Sequence, residues 1–282
     1  MNRESTKEFL LVCAGLSLAG LACVIPPPQA QTAAPGSAAS IGHPAAAAPA
    51  APAAPAAAAA EAAPAPVAAS PSGPVVLPPG FKDCGPDGMF DDGEDGNNQN
   101  MPVGDRGGYW YTFKDKKGTT IEPMAGEDGG TFAMSEGGHA SAMAARFHGK
   151  IGIGAPLFGG MGMNFVDPKA PYNASKYAGI MFWARRSETS TPKVRLKLPD
   201  ANTDPDGGVC TECFNDFGAD LVLTPEWKLF FFPWKSVKQM PGWGNPRKPH
   251  ITPDKVYGIQ FQVNVPSANY DIYVDDLKFI CQ

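Results

Sequence analysis

From Tyr109 onward, apolar and polar residues alternate with period two in short runs separated by Gly, Pro, Asn and Asp. Gly108-Tyr-Trp-Tyr-Thr-Phe113 opens the series, and Tyr177-Ala-Gly-Ile-Met-Phe-Trp-Ala184 and Val194-Arg-Leu-Lys-Leu198 follow. Asp220-Leu-Val-Leu-Thr224, Trp227-Lys-Leu-Phe-Phe-Phe232, Tyr257-Gly-Ile-Gln-Phe-Gln-Val-Asn264 and Ile272-Tyr-Val-Asp-Asp-Leu-Lys-Phe279 complete it. Each run has the length of a strand. A helical stripe is offered only by the short stretch Ala140–Phe147, and the Gly-rich segment Gly149–Gly162 reads as turns between strands. The pattern predicts an all-β chain folded as an antiparallel β-sandwich of jelly-roll type.

The N-terminal part follows a different pattern. Arg3 and Lys7 precede an apolar run from Phe9 to Ala22 that ends at Cys23, the layout of a secretory signal. The run is shorter than the roughly 18 residues of a spanning helix. Gly20-Leu21-Ala22-Cys23 resembles a bacterial lipoprotein box, in which Cys23 carries the lipid, although Gly20 stands where such boxes usually have Leu. Glu4 and Glu8 dilute the positive flank, and an ordinary cut after Ala22 is the alternative. Residues 24–79 hold 14 of the 30 prolines and 23 alanines, so 37 of 56 positions are Ala or Pro. Repeated proline removes the amide donors a helix needs, and too few large apolar side chains remain for a core. This segment is expected to be a disordered, semi-stiff tether reaching on the order of 150 Å. The organisation expected is a signal peptide over 1–23, a linker over 24–79 and one β-sandwich domain over 80–282.

Charge and composition narrow the partners. With 23 Lys+Arg against 28 Asp+Glu the formal net charge is −5, and no basic stripe marks a nucleic-acid surface. A single apolar run excludes a polytopic membrane protein, so membrane contact is expected only through an N-terminal lipid. The chain is expected to be exported and monomeric. Its place is the cell envelope or surface as a membrane-anchored lipoprotein, or otherwise the periplasm or medium.

Four cysteines fall inside the domain: Cys84, Cys210, Cys213 and Cys281. An even count in an exported domain points to two disulfides, with three pairings open. Cys210–Cys213 with Cys84–Cys281 is favoured, because the second would staple the two ends of the domain. Cys210-Thr-Glu-Cys213 also has the spacing of a redox motif or half a zinc site, but neither a helix start nor a second close ligand pair accompanies it.

Acidic clusters open and close the domain, at Asp91-Asp-Gly-Glu-Asp-Gly-Asn97 and Tyr273-Val-Asp-Asp-Leu-Lys-Phe279. A hard cation such as calcium takes about six to eight oxygens, and carboxylates from two chain ends plus loop carbonyls supply them. Asp275 shares strand parity with Leu277 and Phe279, which points it toward the apolar side, where a carboxylate needs a partner. A solvated acidic turn and a strand-end Asp are the alternative.

Met89-Phe-Asp-Asp-Gly-Glu-Asp-Gly96, Gly108–Phe113, Thr224-Pro-Glu-Trp-Lys228 leading to Phe232-Pro233, and Ile272-Tyr-Val-Asp-Asp-Leu277 stand in one order along the chain. In that order and spacing the domain resembles the calcium-containing jelly-roll carbohydrate-binding modules, most of all the family-eleven glucan-binding type and its relatives of galactose-binding-like fold. The resemblance spans roughly Phe90 to Phe279. It implies a structural Ca2+, with Glu94 and Asp275 matching the family's ligands and Asp92 a weaker match. It also implies a polysaccharide or cell-surface glycan, β-glucan-like, as the partner on a concave sheet face. The sequence departs from the family at Gly93, where a large apolar residue is usual, and in its added Cys210–Cys213 loop.

A sugar ring offers C–H groups to aromatic faces and hydroxyls to planar polar groups. On the Tyr257–Asn264 run, Ile259, Phe261 and Val263 share one face, while Gln260, Gln262 and Asn264 share the other. That second face suits hydroxyl recognition, or is an ordinary solvated side. Arg195 and Lys197 alternate in the same way against Val194, Leu196 and Leu198. Trp183 shares parity with Arg185, which suits a groove; Tyr109 and Tyr111 share a face opposite Trp110, and one of those two faces is the core side, with parity leaving open which. Tyr111, Trp183, Arg185, Gln260 and Gln262 are the expected carbohydrate contacts. Trp243, in Pro241-Gly-Trp-Gly-Asn245, is placed to reach a groove rim, whereas Trp227 and Phe231 are expected in the core. His139 and His148 flank a stretch of small residues and read as plain polar side chains.

Catalysis finds less support. A glycosidase needs two carboxylates about 5–9 Å apart in a pocket. Glu122, Glu136, Asp216 and Glu226 are candidates, but no recognisable frame pairs them, and no nucleophile elbow, metalloprotease helix or phosphate loop occurs. Binding without catalysis is the expected function. A glycan-cleaving enzyme on the same sandwich and an envelope protein binding another protein are its rivals.

Overall fold

A computed structural model describes residues 75–282. The expected signal segment with Cys23, and the expected linker as far as residue 74, lie outside the described residues. The strands are β1 (Lys82–Asp83), β2 (Met89–Asp91), β3 (Trp110–Lys114), β4 (Thr120–Glu122), β5 (Ser135–Glu136), β6 (Met143–Lys150) and β7 (Gly159–Asn164). They continue as β8 (Gly179–Arg186), β9 (Lys193–Leu198), β10 (Phe217–Val222), β11 (Lys228–Pro233), β12 (Gly258–Val263) and β13 (Asn269–Cys281).

Two antiparallel sheets form the sandwich. One runs β11-β8-β13-β6-β4, with β1 and β2 added on β13 and β5 on β6; the other runs β10-β9-β12-β7-β3. The chain changes sheet from β3 to β4, β6 to β7, β8 to β9, β10 to β11 and β12 to β13. Each of these successive pairs holds the same rank in the two sheet orders, which is the wrapping of a jelly roll.

Period-two alternation builds the core between the sheets. Ile259, Phe261 and Val263 of β12, Met161 and Met163 of β7, and Val194, Leu196 and Leu198 of β9 meet Ile180, Phe182 and Ala184 of β8 and Ile272 and Val274 of β13. Burial of each of these Val, Leu, Ile, Met and Phe side chains contributes about 1.5–3 kcal/mol. Every run read as a strand from the sequence forms one.

Several local expectations are corrected. Ala140–Phe147 is not a helix, because Met143–Lys150 is strand β6, with Ala145 and Phe147 in the core and Arg146 and His148 only half-buried. Alternation of alanines carries too little hydrophobic contrast to reveal its period. The Gly-rich segment contains strand β7, whose methionines alone face the core. Trp227 and Phe231 lie outside the core cluster, Phe231 being capped by Phe81 with ring centroids 5.0 Å apart.

Asp275 is buried, but on the other side from the one its parity suggests. Tyr270, Ile272 and Val274 face the core, and so do Leu277 and Phe279. The inward parity therefore changes within β13. The change occurs at a bulge between Asp275 and Lys278, where Asp276 takes a left-handed φ of 49°. Asp275 pairs with Trp183 and faces outward beneath the Gly137–Ala142 turn.

Cys84–Cys281 and Cys210–Cys213 are disulfide-bonded, with Cα atoms 5.3 and 5.1 Å apart. The first joins residues 197 apart and fastens the N-terminal β1 segment to the end of β13. Closing so long a loop restricts the unfolded chain strongly. Replacing both Cys84 and Cys281 by Ala is expected to lower unfolding stability by about 2–5 kcal/mol, measured by urea denaturation of the oxidised protein.

Candidate functional site

The outer face of the five-stranded sheet is assembled by register. One row of cross-strand partners reads Tyr111, Gly162, Gln260, Lys197, Gly218 from β3 to β10. The next row reads Phe113, Gly160, Gln262, Arg195, Asp220. The two glycines sit where any side chain would stand between the aromatic strand and the amide strand. A Cβ on Gly160 would lie 2.5 Å from the Phe113 ring, and one on Gly162 would lie 2.8 Å from both the Tyr111 Oη and the Gln260 side chain. Their absence lets both aromatic side chains lie across β7, and Gln260 Nε2 donates to Tyr111 Oη at 2.9 Å.

The result is a cleft of about 780 Å³, within the range of small-molecule sites. Phe113, Leu157 and Phe158 line it together with the amides, and Phe214, Asn215, Met240 and Trp243 from loops also contribute to its wall. Burial pushes the Tyr111 phenol up to about 12 against the opposing Gln260 hydrogen bond, so its hydroxyl stays neutral and keeps a proton to donate. Among the described residues the Gln262 side chain has no hydrogen-bond partner. These groups offer donors and acceptors of both kinds beside apolar ring surface.

The cations of the cleft are all paired. Lys169 Nζ lies 2.7 Å from Asp204 and 3.0 Å from Asp206, Arg195 lies 3.0 Å from Asp220, and Lys197 lies 2.9 Å from Asp216. Burial alone would lower the Lys169 pKa, but its hydrogen bonds to the two aspartates outweigh that and raise it. The cleft therefore presents polar groups with little unbalanced charge.

Of the five expected sugar contacts, the structure brings Tyr111, Gln260 and Gln262 together and places Trp183 and Arg185 elsewhere. The latter two project from β8 on the outer face of the eight-stranded sheet. Trp183 stacks on His139 with ring centroids 3.8 Å apart, and the Arg185 guanidinium lies 3.8 Å over Tyr273 and 5.2 Å from Trp227. Parity within one strand identified their common face correctly; it carried no information about which sheet owns that face. Trp243 lines the cleft, whereas His139 is taken up by the Trp183 stack and by Asp276, 2.9 Å from its Nδ1. Phe113 was missed, although its shared parity with Tyr111 signalled it. Phe214 was also missed, and no periodic pattern marks it.

The acidic residues fall in two places. Asp275 Oδ2 accepts from the His139 N–H at 2.6 Å and the Ser141 hydroxyl at 2.9 Å, while Oδ1 accepts from the Asp276 N–H at 2.7 Å. Glu94 Oε1 accepts from the Met143 N–H at 2.6 Å, at the start of β6 just after that turn, and Asp92 accepts from the Glu94 N–H within its own turn at 3.1 Å. Burial pushes the Asp275 carboxyl up to about 7, and among the described residues no cationic side chain pairs with it. Hard oxygens and a buried carboxylate suit a divalent cation. As arranged, however, no group of three or more His, Cys, Asp or Glu among the described residues is placed to hold a metal. Of the acids considered for catalysis, Asp216 lines the cleft beside Lys197, while Glu122 and Glu136 belong to strands of the other sheet and Glu226 lies in the β10–β11 turn.

The chain is similar to carbohydrate-binding modules of jelly-roll fold. A family 11 module of a cellulosomal cellulase of Clostridium thermocellum is 15% identical over 72% of this chain and 95% of its own, with a TM-score of 0.48. A family 11 module of the same organism in complex with a β-1,3-1,4-mixed-linked tetrasaccharide is 16% identical over 69% and 95%, with a TM-score of 0.48. TmCBM61 in complex with β-1,4-galactotriose is 14% identical over 61% and 88%, with a TM-score of 0.30. No family model and no curated protein matches the chain. The residues of the cleft decide what it can bind.

The Lys197–Asp216 pair supports the cleft from below, with side chains 10% and 2% exposed. Asp216→Ala leaves a buried ammonium without its counter-charge and is expected to cost about 3–5 kcal/mol of stability by urea denaturation. Lys197→Met/Asp216→Leu is expected to recover most of that loss.

Proposed function

We propose that this protein is a non-catalytic polysaccharide-binding protein whose ligand, a neutral β-glucan-like chain, lies in the cleft of the five-stranded sheet. The observation that carries the reading is the pair of rows Tyr111–Gln260 and Phe113–Gln262, flattened by Gly160 and Gly162. Aromatic side chains take the C–H face of a pyranose, and amides and a neutral phenol exchange hydrogen bonds with its hydroxyls. Paired cations offer no free positive charge for carboxylate or sulfate groups, which favours an uncharged polymer. Export through residues 1–23, anchorage by lipid on Cys23 and the Ala/Pro spacer belong to the same reading: they would hold the module clear of the envelope.

Affinity electrophoresis of the full chain with soluble mixed-linkage β-1,3-1,4-glucan, β-1,4-galactan and alginate, with calcium present, tests it. Retardation by a neutral polymer and none by alginate is expected, without release of reducing ends. Gln260→Ala/Gln262→Ala is expected to weaken binding about tenfold or more, as loss of central contacts does. Retention of parental affinity by that variant would displace the site from the cleft.

Calcium belongs to the proposal as a structural ion. Glu94 and Asp275 would hold it, with Asp92 from the adjoining turn, and it would supply the positive charge that buried Asp275 lacks. An ion bound only by the folded state raises stability. Calcium is therefore expected to raise the melting temperature reversibly, and chelation to lower it. A melting temperature indifferent to both removes the ion.

A further inference from the structure

Two loops are joined into one unit at the wall of the cleft. Asn215 holds them: its Nδ2 donates to the carbonyls of Met240 at 2.9 Å and Trp243 at 2.6 Å, and its Oδ1 accepts from the Met240 N–H at 2.8 Å. Glu212 Oε2 accepts from the Gly244 N–H at 2.9 Å, and the backbones of Glu212 and Asn245 exchange hydrogen bonds at 3.0 and 3.2 Å. Cys210–Cys213 closes the first of these loops from within.

This unit carries two aromatic side chains that burial in the core does not explain. Phe214 is 59% exposed and Trp243 37% exposed, and both line the cleft. Phe214 also holds a φ of 71°, a left-handed conformation that disfavours any residue with a Cβ and that glycine adopts freely. Its N–H is fixed to the Thr203 carbonyl at 2.8 Å, and the disulfide ends on the residue before it. A large apolar side chain held out at a cleft edge, on a backbone suited to glycine, gains its use from what it touches there.

We infer that the disulfide-closed loop is a binding lip. Phe214 and Trp243 present a second apolar platform, beyond the sheet-face rows, for the C–H face of one pyranose ring of a neutral glycan. The disulfide and Asn215 hold that platform in place before the ligand arrives. Preorganisation of this kind lowers the entropy lost on binding. The inference rests on the polysaccharide reading and adds a loop-borne subsite to it.

The test compares the full-length parent with Phe214→Gly, Trp243→Ala and Cys210→Ser/Cys213→Ser. Affinity electrophoresis against mixed-linkage β-1,3-1,4-glucan and β-1,4-galactan is run with thermal melting of each protein. Phe214→Gly is expected to melt at or above the parent, because glycine relieves the left-handed backbone, yet to bind about tenfold more weakly. Trp243→Ala and the serine pair are expected to weaken binding in the same direction. Parental affinity in both aromatic variants overturns the lip while leaving the polysaccharide reading intact. Parental affinity in the serine pair alone overturns the disulfide's part in it. A Phe214→Gly protein that loses binding only together with its melting temperature makes the ring a packing element, and the lip falls. A parent that binds neither polymer overturns the lip and the polysaccharide reading together.

Discussion

The structure depends on the pairing of its last strand. β13 lies between β8 and β6 in the middle of the larger sheet and also receives β1 and β2, so strands from the N-terminal end and from the middle of the domain hydrogen-bond to it. β13 does not serve all of these partners with one inward parity. At the bulge after Asp275 pairing with β6 ends at Val274, pairing with β2 begins at Leu277, and the side chains facing the core change from even to odd numbers. The same irregularity leaves Asp275 and Asp276 directed at the Gly137–Ala142 turn, which they hold through the His139 backbone and ring.

The smaller sheet is specialised by subtraction. Methionines at 161 and 163 fill the core side of β7, and glycines at 160 and 162 vacate the other. Tyr111 and Phe113 spread into that space from one side and the Gln260 and Gln262 strand approaches from the other. Central glycines weaken a strand, but here they lie between two well-packed neighbours. What is gained is a trough with an aromatic wall and an amide floor. Ion pairs around it balance the basic residues that β9 must direct outward once its valine and leucines face the core.

Alternation made the strands with strong hydrophobic contrast legible, together with the all-β class and the layered architecture. It failed at β6 and β7, where alanine and glycine carry almost no contrast, and the burial of Met161 and Phe147 is fixed by the opposing sheet. Half of the sheet-face site was legible as well. Gln260 and Gln262 were placed on one face by parity along their strand, whereas for Tyr111 parity gave only the face opposite Trp110 and the packing of Trp110 into the core decided which side was outward. Trp183 and Arg185 satisfied the same rule and yet stand on the other sheet. Parity sorts the faces of a strand without specifying the layer to which the strand belongs. Phe214 obeys no period, because a loop residue is positioned by its hydrogen bonds and its disulfide.

By itself the sequence determined what local physics controls: which residues alternate, and which cysteines sit close enough in the chain to close a short loop. Only the tertiary structure decided which outward faces became neighbours. It set Tyr111 beside Gln260, 149 residues away, and it turned Asp275 outward through a bulge. The physical reason is that a strand's register and layer follow from long-range hydrogen bonding and packing summed over the whole sandwich, and no local stretch of chain contains that sum.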